Sequence, residues 1–233
     1  MEKGIPSWES ELWSYMSTGD GEHCPIYDHC RVRQRGGWCL SDKKEGLDIM
    51  SRFIDDDGFA LNSHESISFD FRCAMAGRLF RLAGMLADTY LKRAKVQGPP
   101  VPEDIISLAD DNRPIEVRLL PLKAHHGAIW RLSDSWVIQL KNDDTPARQR
   151  FTLFHEVFHI LAYCRASPVF RKAGVREGSF NEALADHFAG HILVPRKWVK
   201  EKWAEVKDLN QMAEIFEVPN TVMWLGLRRM NLI

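Results

Sequence analysis

Apolar positions recur along this chain first at helical spacing and then at the alternating spacing of strands, and the change of period divides it. Behind Ser7, which can cap a helix, Trp8, Leu12 and Tyr15 or Met16 form one apolar side that ends before Gly19. Leu47, Met50, Phe53 and Ile54 repeat over 41–54, and Asp55-Asp56-Asp57-Gly58 closes that element. The acidic triplet lacks the alternating oxygen ligands and final glutamate of a calcium loop, so it reads as a solvated helix end. A longer stripe, Phe71, Met75, Leu79, Leu82, Leu86 and Tyr90, predicts an amphipathic scaffold helix over 66–96, with Cys73 as a core residue. Gly98-Pro99-Pro100-Val101-Pro102 neither continues a helix nor pairs in a sheet, and Pro102 can open a new helical turn with Glu103 and Asp104.

Past this boundary the period shortens to two. Residues 115–120, 128–132 and 135–140 are strand candidates, and Ser133-Asp134 tightly connects the last two, so a small antiparallel sheet of about three strands is expected. A polar loop over 141–148 leads into Phe151-Thr-Leu-Phe-His155-Glu156-Val-Phe-His159-Ile-Leu-Ala-Tyr163. A second, alanine-rich helix starts at Phe180 and runs to Pro195. Further helices are expected over 196–206, around Leu209-Phe216, and in a final segment through Leu225. Fold class is therefore α+β, mostly helical, divided as 1–97, 98–206 and 207–233.

Composition narrows the setting. The 233 residues are 45% hydrophobic, and Lys plus Arg number 31 against 32 for Asp plus Glu, so no general attraction to nucleic acid or an anionic membrane is expected. No apolar run of signal-peptide length opens the chain, and Arg78 and Arg81 break the most apolar helix, which points to the cytosol. Of five cysteines, Cys24, Cys30 and Cys39 fall with His23 and His29 within seventeen residues. Thiolate and imidazole suit a second, structural metal. Five residues separate Cys24 from Cys30 and eight separate Cys30 from Cys39, wider than the paired spacing of zinc sites, so free thiols are the preferred reading.

The chemistry concentrates in the two later helices. His155 and His159 are four apart, so both imidazoles sit on one helix face and can reach one metal ion, with Glu156 beside it. Glu182 and Asp186 repeat that spacing on the second helix, next to the small residues Ala185 and Ala189. Glu182 is the preferred third ligand and Asp186 can fix a ligand histidine by accepting its other N–H. His187 and His191 compete on chemistry but are rotated roughly 140° and 180° from Glu182. The strand entering the first helix would place a backbone edge beside the metal, where an extended peptide can add as a strand.

The run 148–162, followed by Glu182-x-x-Ala185-Asp186-x-Phe188-Ala189 and Leu193-Val194-Pro195, resembles the ImmA/IrrE metallopeptidases from about Val101 to the end of the chain. Residues 1–97 lie outside the resemblance, and Phe158 stands where that family often carries glycine. The resemblance implies a zincin-like fold with a glutamate ligand and cytosolic cleavage of a helix-turn-helix repressor controlling mobile-element or DNA-damage genes. It also implies zinc ligands His155, His159 and Glu182, with Glu156 as the base that moves a proton from the attacking water to the leaving amine. Manganese suits the same donors. His125, His126 and Tyr163 are candidates for stabilising the oxyanion, although a solvated turn explains the histidine pair and core packing explains Tyr163. The tail also reads as a helix-turn-helix, but three basic residues (Lys207, Arg228, Arg229) against three acidic ones (Asp208, Glu214, Glu217) favour a packing or repressor-docking cap over a DNA reader. The competing expectation is a non-proteolytic regulator that binds a repressor or antitoxin and keeps the metal for stability.

Overall fold

The computed structural model describes residues 7–18, 67–165 and 180–233. In chain order these form α1 (Ser7–Thr18), α2 (Ile67–Arg93), a 3-10 helix (Glu103–Ala109), β1 (Ile115–Leu120), β2 (Gly127–Arg131) and β3 (Trp136–Lys141). Helices α3 (Pro146–Arg165), α4 (Phe180–Leu193), α5 (Arg196–Val206), α6 (Leu209–Phe216) and α7 (Asn220–Arg229) follow. The architecture is α+β, as the periodicities imply. The expected helix over 41–54 and the Cys24, Cys30, Cys39 group lie outside the described residues.

The sheet is mixed where an antiparallel one was expected. Its order is β1-β3-β2, with β2 antiparallel to β3 but β1 parallel to it, Ile115 opposite Trp136 and Leu119 opposite Leu140. The reason lies in the strands' composition. Trp136-Val-Ile-Gln-Leu is the most apolar run and takes the centre, burying Trp136, Ile138 and Leu140. Glu116 and Arg118 leave β1 suited to an edge, where they bond each other at 2.8 Å. The intervening β2 and its flanking loops then supply the crossover that a parallel pair requires. The strand entering the α3 helix therefore has both edges occupied, and among the described residues the unpaired edge beside that helix is β2.

Helix α3 begins at Pro146, whose missing N–H costs nothing in a first turn, while Thr145 Oγ1 accepts from Arg148 N at 3.3 Å. Gln149 Nε2 donates to the Lys141 carbonyl at 2.9 Å, fixing the helix start against the end of β3. Its apolar residues Leu153, Phe154, Val157, Ile160 and Leu161 are buried in the core, and the helix packs against β2 and β3 as well as against α4. Helix α4 lies between α2 and α3, and the fully buried Ala185 and Ala189 let these backbones approach closely.

The Gly98–Pro102 link joins elements of one continuous core, because α2 buries Leu79, Ala83, Leu86 and Tyr90 in the same cluster as α3 and α4. Tyr90 Oη donates to the carbonyls of Ile105 and Ile106 at 2.9 and 3.2 Å. Phe158 has a local explanation too. Its ring is fully buried between Trp13 of α1, at 6.1 Å between centroids, and Phe188 of α4, at 5.5 Å, so a glycine there would leave a cavity.

The C-terminal helices dock as a cap. Buried Arg150 of α3 reaches Glu103 at 3.1 Å and Glu217, just past α6, at 3.5 Å. Helix α7 turns Val222, Met223 and Leu227 into the core, so two residues near the start of the helix that would read DNA pack inward instead. No helix among the described residues is long and apolar enough to cross a membrane.

Candidate metal centre

Where α3 and α4 cross, side chains four residues apart on each helix face one another. His155 Nε2 and His159 Nε2 are 3.1 Å apart. Glu182 closes the triangle, with Oε2 3.3 Å from His155 Nε2 and Oε1 3.1 Å from His159 Nε2. From the other side, Asp186 Oδ1 sits 2.7 Å from His155 Nδ1.

These distances match the needs of a small divalent ion. Two donors each about 2.0–2.1 Å from a tetrahedral centre stand roughly 3.3 Å apart, which is close to all three separations here. The donor chemistry agrees. If Asp186 accepts the Nδ1 proton, the neutral His155 ring turns its Nε2 lone pair toward the Glu182 carboxylate, an arrangement that repels unless a cation or an extra proton lies between them. His155, His159 and Glu182 are the one group of three or more His, Cys, Asp or Glu side chains among the described residues placed so that they could hold one metal ion.

The same electrostatics govern protonation. Burial pushes the His155 pKa down, but the Asp186 and Glu182 carboxylates outweigh it and hold the ring well above the ordinary histidine value. Burial would raise the Glu182 pKa, yet His159 and His155 hold it well below the usual carboxylate range. Metal must therefore displace a proton that the ion-free site keeps above the usual histidine range. Affinity for zinc is expected to keep rising with pH above the ordinary histidine pKa, with proton release at neutral pH. Calorimetry in buffers of different ionisation enthalpy measures that release; a buffer-independent enthalpy at pH 7 would contradict it.

Glu156 follows His155 on the helix and is buried, 8% exposed. It lies against the first residue of β2. A Cβ on Gly127 would stand 2.7 Å from Glu156 Oε1 and 2.5 Å from Thr152 Cγ2, nearer than side chains tolerate. Gly127 was not among the residues singled out from the sequence, where it lay in the turn that precedes the strand candidate 128–132. Gly127→Ala is expected to displace the Glu156 carboxylate and destabilise the fold by about 1–3 kcal/mol through overpacking. If Glu156 acts as a base, peptide cleavage by this variant should fall on the order of 100-fold with metal content retained, since a misplacement near 1 Å can cost that much. Metal analysis beside an activity assay separates the two effects.

The other candidates lie elsewhere. His187 and His191 face away from the triangle, His187 packing edge-on against Phe80 at 5.1 Å and His191 meeting Asp88 at 3.3 Å. His126 Nδ1 is 2.6 Å from Asp144 Oδ2, and both His125 and His126 are exposed. Tyr163 is half-buried, stacks edge-on against Trp136 at 5.0 Å and accepts from Arg131 Nη1 at 3.0 Å. Neither histidine nor Tyr163 has a described hydrogen bond to the triangle.

Residues 110–223 match the model of the family Peptidase_M78, described as the IrrE N-terminal-like domain. The match covers a little under half of the chain, takes in the sheet, the metal triangle and Glu156, and leaves α1 and α2 outside. No curated protein matches the sequence.

Proposed function

We propose, from the premise that residues 110–223 form a metallopeptidase domain of the IrrE type, that this chain is a zinc-dependent endopeptidase acting on a cytosolic protein, with a helix-turn-helix repressor as the substrate. The supporting observation is the convergence of His155, His159 and Glu182 beside the buried carboxylate of Glu156. A zinc or manganese ion held by those three side chains would supply Lewis acidity to a water and to the scissile carbonyl.

The remaining work falls to the protein's own groups. Glu156 takes the proton of the attacking water and returns it to the leaving nitrogen. Asp186 holds His155 in one tautomer and ring orientation, which keeps its Nε2 lone pair directed at the site. Gly127 lets β2 approach Glu156, so a peptide added along the free edge of β2 would bring its backbone to the base. Exposed Trp130 and Leu132, at 57% and 46%, offer apolar contacts along that edge.

The test uses the zinc-loaded protein and a helix-turn-helix protein encoded beside it. Mass spectrometry should find one or a few discrete cuts, abolished by a chelator and restored by zinc. Relief of repression with the repressor intact would replace the peptidase by a regulator that acts through binding alone.

A further inference from the structure

Strand β2 turns alternate side chains toward α3. Gly127 and Arg131 share that face, because they stand opposite Leu140 and Trp136, both buried. At one end Gly127 lies against Glu156 and Thr152. At the other, Arg131 Nη1 donates to Tyr163 Oη at 3.0 Å, and the guanidinium sits over the Tyr163 ring, 5.0 Å from its centroid. Four residues of strand span about 13 Å and the seven residues of helix from Glu156 to Tyr163 rise about 10 Å, so the two elements keep step. The edge of β2 that is unpaired among the described residues therefore runs along α3 from Glu156 to one turn past His159.

The Arg131 guanidinium is held, but its charge is unmatched. Trp136 braces Tyr163 edge-on at 5.0 Å and donates in turn to buried Asp110 at 2.9 Å, which fixes the ring beneath Arg131. Arg131 is exposed and has no carboxylate partner among the described residues. Asp134, the acidic residue nearest in sequence, accepts from Ser133 and Ser135 at 3.5 and 3.4 Å instead. Among the described residues only Nη1 is engaged, which leaves Nε and Nη2, the pair of donors that grips a carboxylate side-on.

We propose that Arg131 selects substrates with an aspartate or glutamate about four residues from the scissile bond. The assignment rests on the endopeptidase reading above. A peptide lying along β2 with its scissile carbonyl beside Glu156 advances about 3.3 Å per residue, so the residue that reaches Arg131 stands about four positions away. Its carboxylate meets Nε and Nη2 while Nη1 keeps its bond to Tyr163. The contact is exposed, so it sorts substrates by a few-fold and does not by itself decide cleavage.

A pool of random twelve-residue peptides tests this in two arms. The zinc-loaded full chain cuts the pool and mass spectrometry aligns the cuts, while zinc-loaded Glu156→Gln, which should hold peptides uncut, retains part of the pool for sequencing. Asp and Glu should be enriched about fivefold at a position about four residues from the cut, and about fivefold in the retained peptides. Arg131→Gln should abolish the preference, and Arg131→Glu should replace it by one for Lys and Arg, with zinc content and melting curves unchanged. Retention with the acidic preference but no cuts would keep Arg131 as the selector of a bound partner and remove the endopeptidase. Cuts without an acidic preference, a preference that survives in Arg131→Gln or Arg131→Glu, or neither cuts nor retention would each overturn the assignment.

Discussion

Glu156→Gln is expected to lower peptide cleavage by about 10²–10⁴-fold, the range for removing a positioned general base, without loss of metal or fold. Glutamine has nearly the same shape, and the close approach of Gly127 to the carboxylate leaves little room for the side chain to reorient. The metal triangle itself does not include Glu156, so its donor atoms stay in place. What changes is basicity, because an amide cannot take a proton from water. Metal analysis, a melting curve and the cleavage assay on the same preparation separate these effects. Full activity in a folded, metal-loaded Glu156→Gln protein would remove Glu156 from the mechanism, and persistent repressor control without cleavage would point to a binding regulator.

How much was legible in advance depended on how local each interaction is. The pairing of His155 with His159, and of Glu182 with Asp186, follows from helical geometry alone, so each half of the triangle could be read from spacing. That the halves meet depended on Ala185 and Ala189, whose small side chains signal close helix approach. The direction of β1 was not legible, since strand periodicity carries no information on parallel or antiparallel pairing. Gly127 escaped notice because its importance arises from a neighbour distant in sequence, Glu156. The role of Phe158 likewise depends on Trp13, far away in the chain, and the setting of Arg131 depends on Tyr163, on another element. Pair contacts along one helix are written in the sequence; surfaces made by several elements appear only when they pack.

Glu182→Gln is expected to weaken zinc binding by more than about 100-fold, because altering a partner outside the ligand set already costs roughly 10–100-fold and a direct ligand contributes more. The carboxylate is the one negative donor of the triangle, and both imidazoles approach it, at 3.3 and 3.1 Å. An amide keeps the volume and can still hydrogen-bond to either ring, so the ion-free fold should persist. Asp186→Asn provides the contrast. It removes the charge behind His155 but none of the three donor atoms, and its loss should stay within about 10–100-fold. Chelator competition gives both affinities, and melting curves with and without zinc show whether either variant has failed to fold. If Asp186→Asn loses the metal while Glu182→Gln keeps it, Asp186 is the third ligand and the roles of the two carboxylates are reversed.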